Sequence, residues 1–255
     1  NIISPLRVAM SQAVEDEILD QNPLIDFRVR ARNSLAADTQ TIDPFDGAER
    51  DLILKAMNGQ GRNLIQFAFW TGMRTSELIA LNWGDVDFQR GKVRVNKGLT
   101  KAAIDAESDP EEPKTLAGKR DVKLLSGALE ALESQRQHTF FRGEEIFQNP
   151  RTLKRWAGDA PIRKTLWTPA LKKAGVRYRK PYQTRHSYAS SHLTEGENVM
   201  WVSAQMGHTD WAFTARTYAK YIDSDQRDAG SLFEQAERQR TLSLAQLENM
   251  TEQMS

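Results

Sequence analysis

No cysteine and only four histidines occur among the 255 residues of the chain. The absence of cysteine excludes a disulfide framework and fits a reducing compartment. His186 and His192 are six residues apart, so they do not share a helical face as a pair of metal ligands would. We therefore predict that the protein needs neither a metal ion nor another cofactor.

Long apolar runs are also absent. No run reaches the roughly eighteen residues that a membrane-spanning helix needs, and no secretory leader is visible, so we expect a cytoplasmic protein with no membrane partner. The chain starts at Asn1, within a pattern typical of a helix, instead of at a methionine. We therefore expect it to be a fragment of a longer protein.

The net charge of +1 conceals a strong asymmetry. Between Arg151 and Ser190 there are eleven basic residues and one acidic residue, Asp159. Such a concentration predicts a surface that contacts a phosphate backbone, although a solvated basic face without a ligand is the alternative. Apart from Arg185, these residues are Arg151, Lys154, Arg155, Arg163, Lys164, Lys172, Lys173, Arg177, Arg179 and Lys180.

Two separated arginines and a tyrosine suggest phosphate chemistry. Arg74 follows Gly72 at the end of an apolar run, where a helix would stop and a turn would direct the side chain inward, and Arg185 opens a later helical stretch. Guanidinium groups stabilise the non-bridging oxygens of a phosphodiester in pairs, and Tyr218 could supply an attacking oxygen. Taken alone, Arg74 beside Glu77 would more often be a surface ion pair.

The ordered set of these residues resembles the tyrosine recombinase (phage integrase) family, over roughly residues 46 to 222. The phrase from Pro181 to His186 is most similar to integrases of temperate bacteriophages. The resemblance implies that Arg74 and Arg185 clamp the phosphate, that Glu77 supports Arg74, and that His208 is an additional donor.

The resemblance also identifies a nucleophile, Tyr218, ten residues after His208, with Tyr221 as the competing candidate. Tyr182 is a departure, because the family commonly has a histidine at that place. A phenol with a reference pKa near 10 is a poor general base at pH 7. We therefore expect Tyr182 to bind or position rather than to take a proton.

A lysine on a β-hairpin acts in the family as the general acid for the departing 5′ oxygen. Lys114 matches it best, because Lys-Thr, a glycine turn and a β-run follow one another there. Lys97 and Lys101 are weaker candidates on or just after the preceding strand.

The implied function is site-specific recombination. The enzyme would cleave and rejoin double-stranded DNA at attachment sites through a 3′-phosphotyrosyl intermediate, for the integration and excision of mobile DNA. The resemblance implies a homotetramer that passes through a Holliday junction, and it leaves open whether accessory DNA-bending proteins take part. A type IB topoisomerase-like relaxation activity and a non-catalytic DNA-binding module remain as alternatives.

The predicted fold is mainly α with a small antiparallel β-sheet, as in the catalytic domain of tyrosine recombinases. Alternation predicts strands at Val86–Phe88 and Lys92–Asn96 around a Gln-Arg-Gly turn, with Lys114 on or beside the next strand. Residues 99–112 are acid-rich and predict a loop that projects into solvent or is mobile. We predict helices over residues 2–20, 46–57, 63–71, 127–137, 160–174, 182–195, 198–206 and 211–220.

Four segments follow from this pattern. We expect residues 1–22 to be a remnant helix of the core-binding domain, 23–45 a linker, 46–222 the catalytic domain and 223–255 a C-terminal tail. In the tail, Leu244, Leu247 and Met250 form an apolar stripe that could dock on a neighbouring subunit or on its own domain.

Overall fold

The computed structural model describes residues 3–25, 42–106, 108–113, 118–222 and 237–240. The chain divides into two compact units, residues 1–41 and 42–255. No helix among the described ranges is long and apolar enough to cross a membrane. The predicted apolar stripe of the tail, with most of the predicted linker, lies outside these ranges.

The first unit contains helix α1, Ile3–Glu15. The sequence predicts a helix as far as residue 20, but the chain leaves the helix earlier. Glu17 has a positive φ of 57°, and the amide of Ile18 donates to the carbonyl of Ala13, as in a left-handed helix terminus. The side-chain amide of Asn22 then donates to the carbonyl of Arg7, so the following segment folds back on α1.

The second unit contains the other helices and the strands. Its helices are α2 Gly47–Lys55, α3 Gly59–Thr71, α4 Thr75–Leu78, α5 Lys101–Asp105, α6 Ser126–Thr139, α7 Asp159–Ile162, α8 Thr168–Ala174, α9 Gln183–Thr194, α10 Val199–Met206 and α11 Trp211–Tyr218. A π-helical turn, Arg163–Trp167, joins α7 to α8, and a 3₁₀ turn, Ala219–Tyr221, follows α11. The strands are β1 Val86–Asp87, β2 Lys92–Val95, β3 Arg120–Lys123, β4 Gln148–Asn149 and β5 Lys154–Arg155.

Helix α2 begins where the sequence predicts. The Asp46 side chain accepts from the amide of Glu49, and the Glu49 side chain accepts from the amide of Asp46. This reciprocal pair satisfies two of the amides that a helix start leaves unpaired. Helix α3 begins four residues before the predicted Asn63 and ends, as predicted, at Thr71.

The predicted small sheet is present, in the antiparallel order β1–β2–β3. Val93 of β2 lies opposite Val122 of β3, and both are buried, so one face of the sheet contributes to the core. The β4–β5 ribbon was not predicted, because each of its strands has only two residues and shows no alternation.

The acid-rich segment differs from the predicted loop. Helix α5 lies within it, the side chain of Thr100 caps this helix, and Ala103 enters the core. The backbone of Gly98 then pairs with that of Glu111. The described acidic side chains of the segment are exposed, as predicted, namely Asp105, Asp109, Glu111 and Glu112.

Two apolar clusters hold this unit together. The larger one contains the buried residues of α3 and α6 and the inner face of the sheet. The smaller one packs α9, α10 and α11 around Tyr188, Met206 and Tyr218. Gly72, which ends α3 with a φ of 61°, touches this smaller cluster, because a Cβ added there would lie 2.6 Å from Cδ1 of Tyr188.

We predict that Gly72→Ala destabilises the protein far more than Gly175→Ala. Both glycines end a helix in the left-handed conformation, with φ of 61° and 68°, but nothing lies within 4 Å of a Cβ added at Gly175. The conformational penalty of about 1 kcal/mol is shared, and overpacking against Tyr188 should add about 1–3 kcal/mol. Urea unfolding of the two variants measures the difference. Equal free energies of unfolding would contradict the close packing of Gly72.

Candidate active site

Arg74 lies at the turn between α3 and α4, as the sequence predicts. Its guanidinium Nη1 donates to Oε1 of Glu77 at 2.8 Å, and its backbone amide donates to Oε2 at 2.9 Å. The Arg74 side chain is 36% exposed, whereas that of Glu77 is only 7% exposed. Glu77 is therefore a buried anchor, and Arg74 extends from it toward the surface.

A third arginine, Arg120 on β3, shares the same carboxylate. Its Nη1 and Nη2 donate to Oε1 and Oε2 of Glu77 at 3.1 and 2.9 Å, and its Nε donates to the carbonyl of Gln205 at 2.6 Å. We did not predict a site role for Arg120 from the sequence. The available signal was its position two residues before the buried Val122, which places an arginine on the inward face of a strand.

The electrostatics of Glu77 follow from this arrangement. Burial by itself raises the pKa of Glu77, but the hydrogen bond and the charge of Arg120, with the charge of Arg74, lower it to about 2 from an ordinary value of 4.5. The carboxylate is therefore ionised at every pH near neutrality, and it holds two guanidinium groups in fixed positions.

Arg185 is the most enclosed charge of the site. Its side chain is 1% exposed, and its guanidinium donates to the carbonyls of Gly72 and Met206 at 2.7 and 2.6 Å. Burial, and then the charge of Arg74, lower the pKa of Arg185 to about 10, so it stays protonated at neutral pH. The sequence prediction that it opens a helix is confirmed, since it lies in the first turn of α9.

His208 contacts this arginine. Its Nε2 lies 3.0 Å from Nη2 of Arg185 and its Nδ1 lies 2.7 Å from Oγ1 of Thr214. A guanidinium can only donate, so Nε2 must accept and Nδ1–H must donate to Thr214. Burial and the charge of Arg185 lower the pKa of His208 to about 3, in agreement with a neutral ring. In this structure His208 thus orients Arg185, and its role as an additional donor to the phosphate stays a prediction.

Tyr218, at the end of α11, is buried against α9. Its phenol is 1% exposed and its Oη lies 2.7 Å from Nδ1 of His186, the residue after Arg185 on α9. Burial raises the pKa of Tyr218 above the ordinary value for a phenol, and the charge of Arg185 partly opposes this effect. Trp211, at the start of the same helix, is 50% exposed, and Thr214 and Tyr218 form the buried face of α11.

The remaining predicted site residues are placed as follows. Tyr182 precedes α9, and its ring lies edge-on to that of His186 at 5.2 Å between centroids. Tyr221, the competing nucleophile, is half-buried, with its ring centroid 6.5 Å from that of Tyr218. Lys114 lies outside the described residues, so its role stays a prediction. Lys97 and Lys101 are exposed.

The basic segment separates into two groups. Arg155 donates to the carbonyl of Ile79 at 2.6 Å and to Asn82 at 2.9 Å, and Arg179 pairs with Asp43 and Glu49, so both side chains brace the fold. Arg177 also pairs with Asp43, at 2.6 Å, although its side chain is 64% exposed. The other predicted DNA contacts are exposed, namely Arg151, Lys154, Arg163, Lys164, Lys172, Lys173 and Lys180.

Within the described ranges, no group of three or more histidine, aspartate or glutamate side chains is arranged to hold a metal ion. The positive charges of the site come from Arg74, Arg120 and Arg185, with Glu77 as the carboxylate among them. Such a site can bind an anion and stabilise charge that develops on it.

We predict that Glu77→Gln lowers the free energy of unfolding by on the order of 3 kcal/mol at pH 7. The folded pKa of Glu77 lies below its ordinary value, so its contribution is present above about pH 5 and is lost as the pH falls toward 2. The difference in free energy of unfolding between wild type and variant should therefore become smaller as the pH falls from about 5 toward 2. Urea unfolding from pH 2 to 7 measures it, with Glu112→Gln, in an exposed pair with Lys119, as the control. A difference in free energy of unfolding that does not depend on pH would contradict the lowered pKa of Glu77.

Comparison with known proteins identifies relatives over most of the chain. A sequence profile described as the phage integrase family matches residues 45–224. The chain is 32% identical over 244 residues to the prophage integrase IntR of Escherichia coli K12, covering 88% of this chain and 57% of that protein. It is 25% identical to the integrase of Mycobacterium phage L5, covering 88% and 58% of the two chains. The chain thus spans less than two thirds of the length of these relatives.

Solved structures show the same fold. The Tn1549 transposon integrase in complex with a circular intermediate DNA superposes with a TM-score of 0.64 at 20% identity, covering 84% of this chain and 72% of that one. The XerA recombinase superposes with a TM-score of 0.55 at 21% identity, covering 74% and 63%. The predicted fold, mainly α with a small antiparallel sheet, is therefore confirmed as that of tyrosine recombinase catalytic domains. The family profile matches residues 45–224, and the prophage integrase IntR is similar to the chain along most of its length. This chain therefore belongs to the phage integrase family.

Proposed function

We propose that this chain carries the catalytic part of a site-specific DNA recombinase. Tyr218 attacks the scissile phosphate, forms a 3′-phosphotyrosyl bond and releases a 5′-hydroxyl, and the reverse reaction joins the strands. The covalent bond retains the energy of the phosphodiester, so no nucleotide cofactor is required. The observation that carries the proposal is the position of the buried Tyr218 phenol. It contacts His186, the residue after Arg185 on α9, and Arg185 forms a cluster of three arginines with Arg74 and Arg120.

The charges of this cluster favour a phosphate as its ligand. Arg74, Arg120 and Arg185 carry three positive charges, and Glu77 offsets one of them. The charges of Arg74 and Arg120 contribute to lowering the pKa of Arg185, which means that the guanidinium groups repel one another without an anion. A phosphodiester that enters this field relieves the repulsion, and its transition state, which carries more charge on the non-bridging oxygens, relieves it further.

The arginines differ in the freedom that the structure leaves them. Arg185 is fixed by two carbonyls and by His208, and Arg120 is fixed by Glu77 and Gln205. Arg74 is the most exposed of the three, so it can reach the phosphate from the solvent side. We assign the phosphate clamp to Arg74 and Arg185, and to Arg120 the task of positioning Glu77 and, through it, Arg74.

The nucleophile must be uncovered before it can react. At 1% exposure the phenol of Tyr218 cannot meet a DNA phosphate, so the groups packed over it have to move when DNA binds. The departing 5′ oxygen needs a proton, and Lys114 remains the predicted donor. The exposed lysines and arginines between Arg151 and Lys180 are the proposed contacts to the DNA backbone.

The relatives support a role in mobile DNA. They include a prophage integrase and a phage integrase, and the transposon integrase superposes in complex with a DNA intermediate. We therefore propose integration and excision at attachment sites, within a homotetramer of the full-length protein.

We predict that Tyr218→Phe abolishes covalent attachment to DNA, whereas Tyr221→Phe retains it. Nicked suicide duplexes, selected from a randomised pool by binding to the Tyr218→Phe variant, are incubated with each protein, and adducts that resist denaturant are counted on a gel. Phenylalanine keeps the ring packing at both positions, so DNA binding should persist. An adduct that survives in Tyr218→Phe and is lost in Tyr221→Phe would move the nucleophile to Tyr221. Binding by wild type without any adduct would contradict the catalytic function.

A further inference from the structure

The contact between His186 and Tyr218 is a feature that the sequence analysis did not anticipate. The two side chains belong to α9 and α11, are both buried, and approach to 2.7 Å between Nδ1 and Oη. No other hydrogen bond of the Tyr218 hydroxyl is found among the described residues. The imidazole is therefore the group placed to exchange a proton with the oxygen that attacks DNA.

The ring of His186 is not satisfied as a purely structural histidine would be. Its Nε2 is buried and has no hydrogen-bond partner within the part of the chain that the structure describes. His208, by comparison, engages both ring nitrogens, with Arg185 and Thr214. A buried polar atom without a partner needs an explanation other than packing.

We propose that His186 is the general base that takes the phenolic proton of Tyr218 through Nδ1 as this residue attacks the scissile phosphate. The inference rests on the proposed function. It gives the base role to a residue one turn after Tyr182, whose phenol is poorly suited to that role.

In the cleavage step, two proton transfers accompany the exchange of one bond to phosphorus for another. The proton of the Tyr218 hydroxyl passes to Nδ1 of His186, the phenolic oxygen forms a bond to phosphorus, and the bond from phosphorus to the 5′ oxygen breaks. The 5′ oxygen takes its proton from the general acid. In the rejoining reaction, the 5′-hydroxyl returns its proton to the general acid and displaces the phenolic oxygen from phosphorus, and the imidazolium returns its proton to the phenolic oxygen.

The surroundings keep His186 ready for this step. Burial and the charge of Arg185 lower the pKa of His186 to about 4, so the ring is neutral, with a lone pair available, at pH 7. A bound phosphodiester would offset the charge of Arg185 and thereby stabilise the imidazolium. Proton transfer is thus favoured only when DNA occupies the site.

The test compares wild type with His186→Asn, whose side chain can still hydrogen-bond near the Nδ1 position but is not basic. His192→Asn is the matched control, because it makes the same substitution on the same helix, where Nδ1 of His192 lies 2.8 Å from the carbonyl of Tyr188. Adduct formation is timed in single-turnover reactions on the selected nicked duplexes. A second duplex carries sulfur in place of the 5′ bridging oxygen, so that its leaving group departs without a general acid.

We expect His186→Asn to slow adduct formation about 10²–10⁴-fold on both duplexes, while His192→Asn retains most of the rate. From pH 6 to 9 the wild-type rate should be nearly flat, and the His186→Asn rate should rise with pH as free hydroxide ionises Tyr218. The titratable groups that face His186 are Arg185, Tyr182, Tyr218 and His208, and the shifted pKa values of Arg185 and His208 lie outside this range.

Each other outcome overturns the assignment. An unchanged rate of adduct formation would mean that the contact between His186 and Tyr218 is only structural. A faster rate would mean that His186 inhibits the reaction by holding Tyr218 away from DNA. Rescue by the sulfur duplex would place the defect at the leaving group. If His186→Asn unfolds, His186→Ala with added imidazole replaces it, and no recovery of rate would contradict the base role. An absence of adduct with wild type contradicts the proposed function itself, which separates the two failures.

Discussion

The guanidinium of Arg185 is held by the carbonyls of Gly72 and Met206, at 2.7 and 2.6 Å, in a position that is 1% exposed. These bonds join the end of α3, the start of α9 and the end of α10 around one buried charge. Leaving such a charge partly unsatisfied would cost several kcal/mol, so the three segments are fixed relative to it. Two further contacts extend this order to α11, because His208, just after α10, contacts Thr214, and His186 of α9 contacts Tyr218.

Much of this arrangement could be predicted from local sequence. The stop at Gly72, the turn at Arg74 and the helix start near Asp46 depend on neighbouring residues, and each is found where the sequence places it. The helix positions followed from apolar periodicity, with ends that differ by a few residues. The short helix α5 was missed, because its only buried residue within an acid-rich segment is Ala103.

The residues that the sequence did not reveal depend on distant partners. Arg120 becomes part of the site because both of its terminal nitrogens donate hydrogen bonds to Glu77, which lies 43 residues earlier in the chain. His186 meets Tyr218 only because α9 packs against α11. Charge density also overstated the candidate DNA surface, since Arg179 pairs with Asp43 and Glu49 from a segment over a hundred residues earlier. The amino-acid composition shows that such charges are present, but it does not show which side chains pair with them.

Mass spectrometry of the trapped adduct tests most directly whether Tyr218 is the residue that bonds to DNA. Trypsin separates the candidate tyrosines of this sequence, because Tyr218 lies in the peptide Thr217–Lys220 and Tyr221 begins the next one. We expect a nucleotide joined through its 3′-phosphate to the peptide Thr217–Lys220. A nucleotide on the peptide that begins at Tyr221 or on the one that contains Tyr182, or a 5′-phosphate linkage, would contradict it.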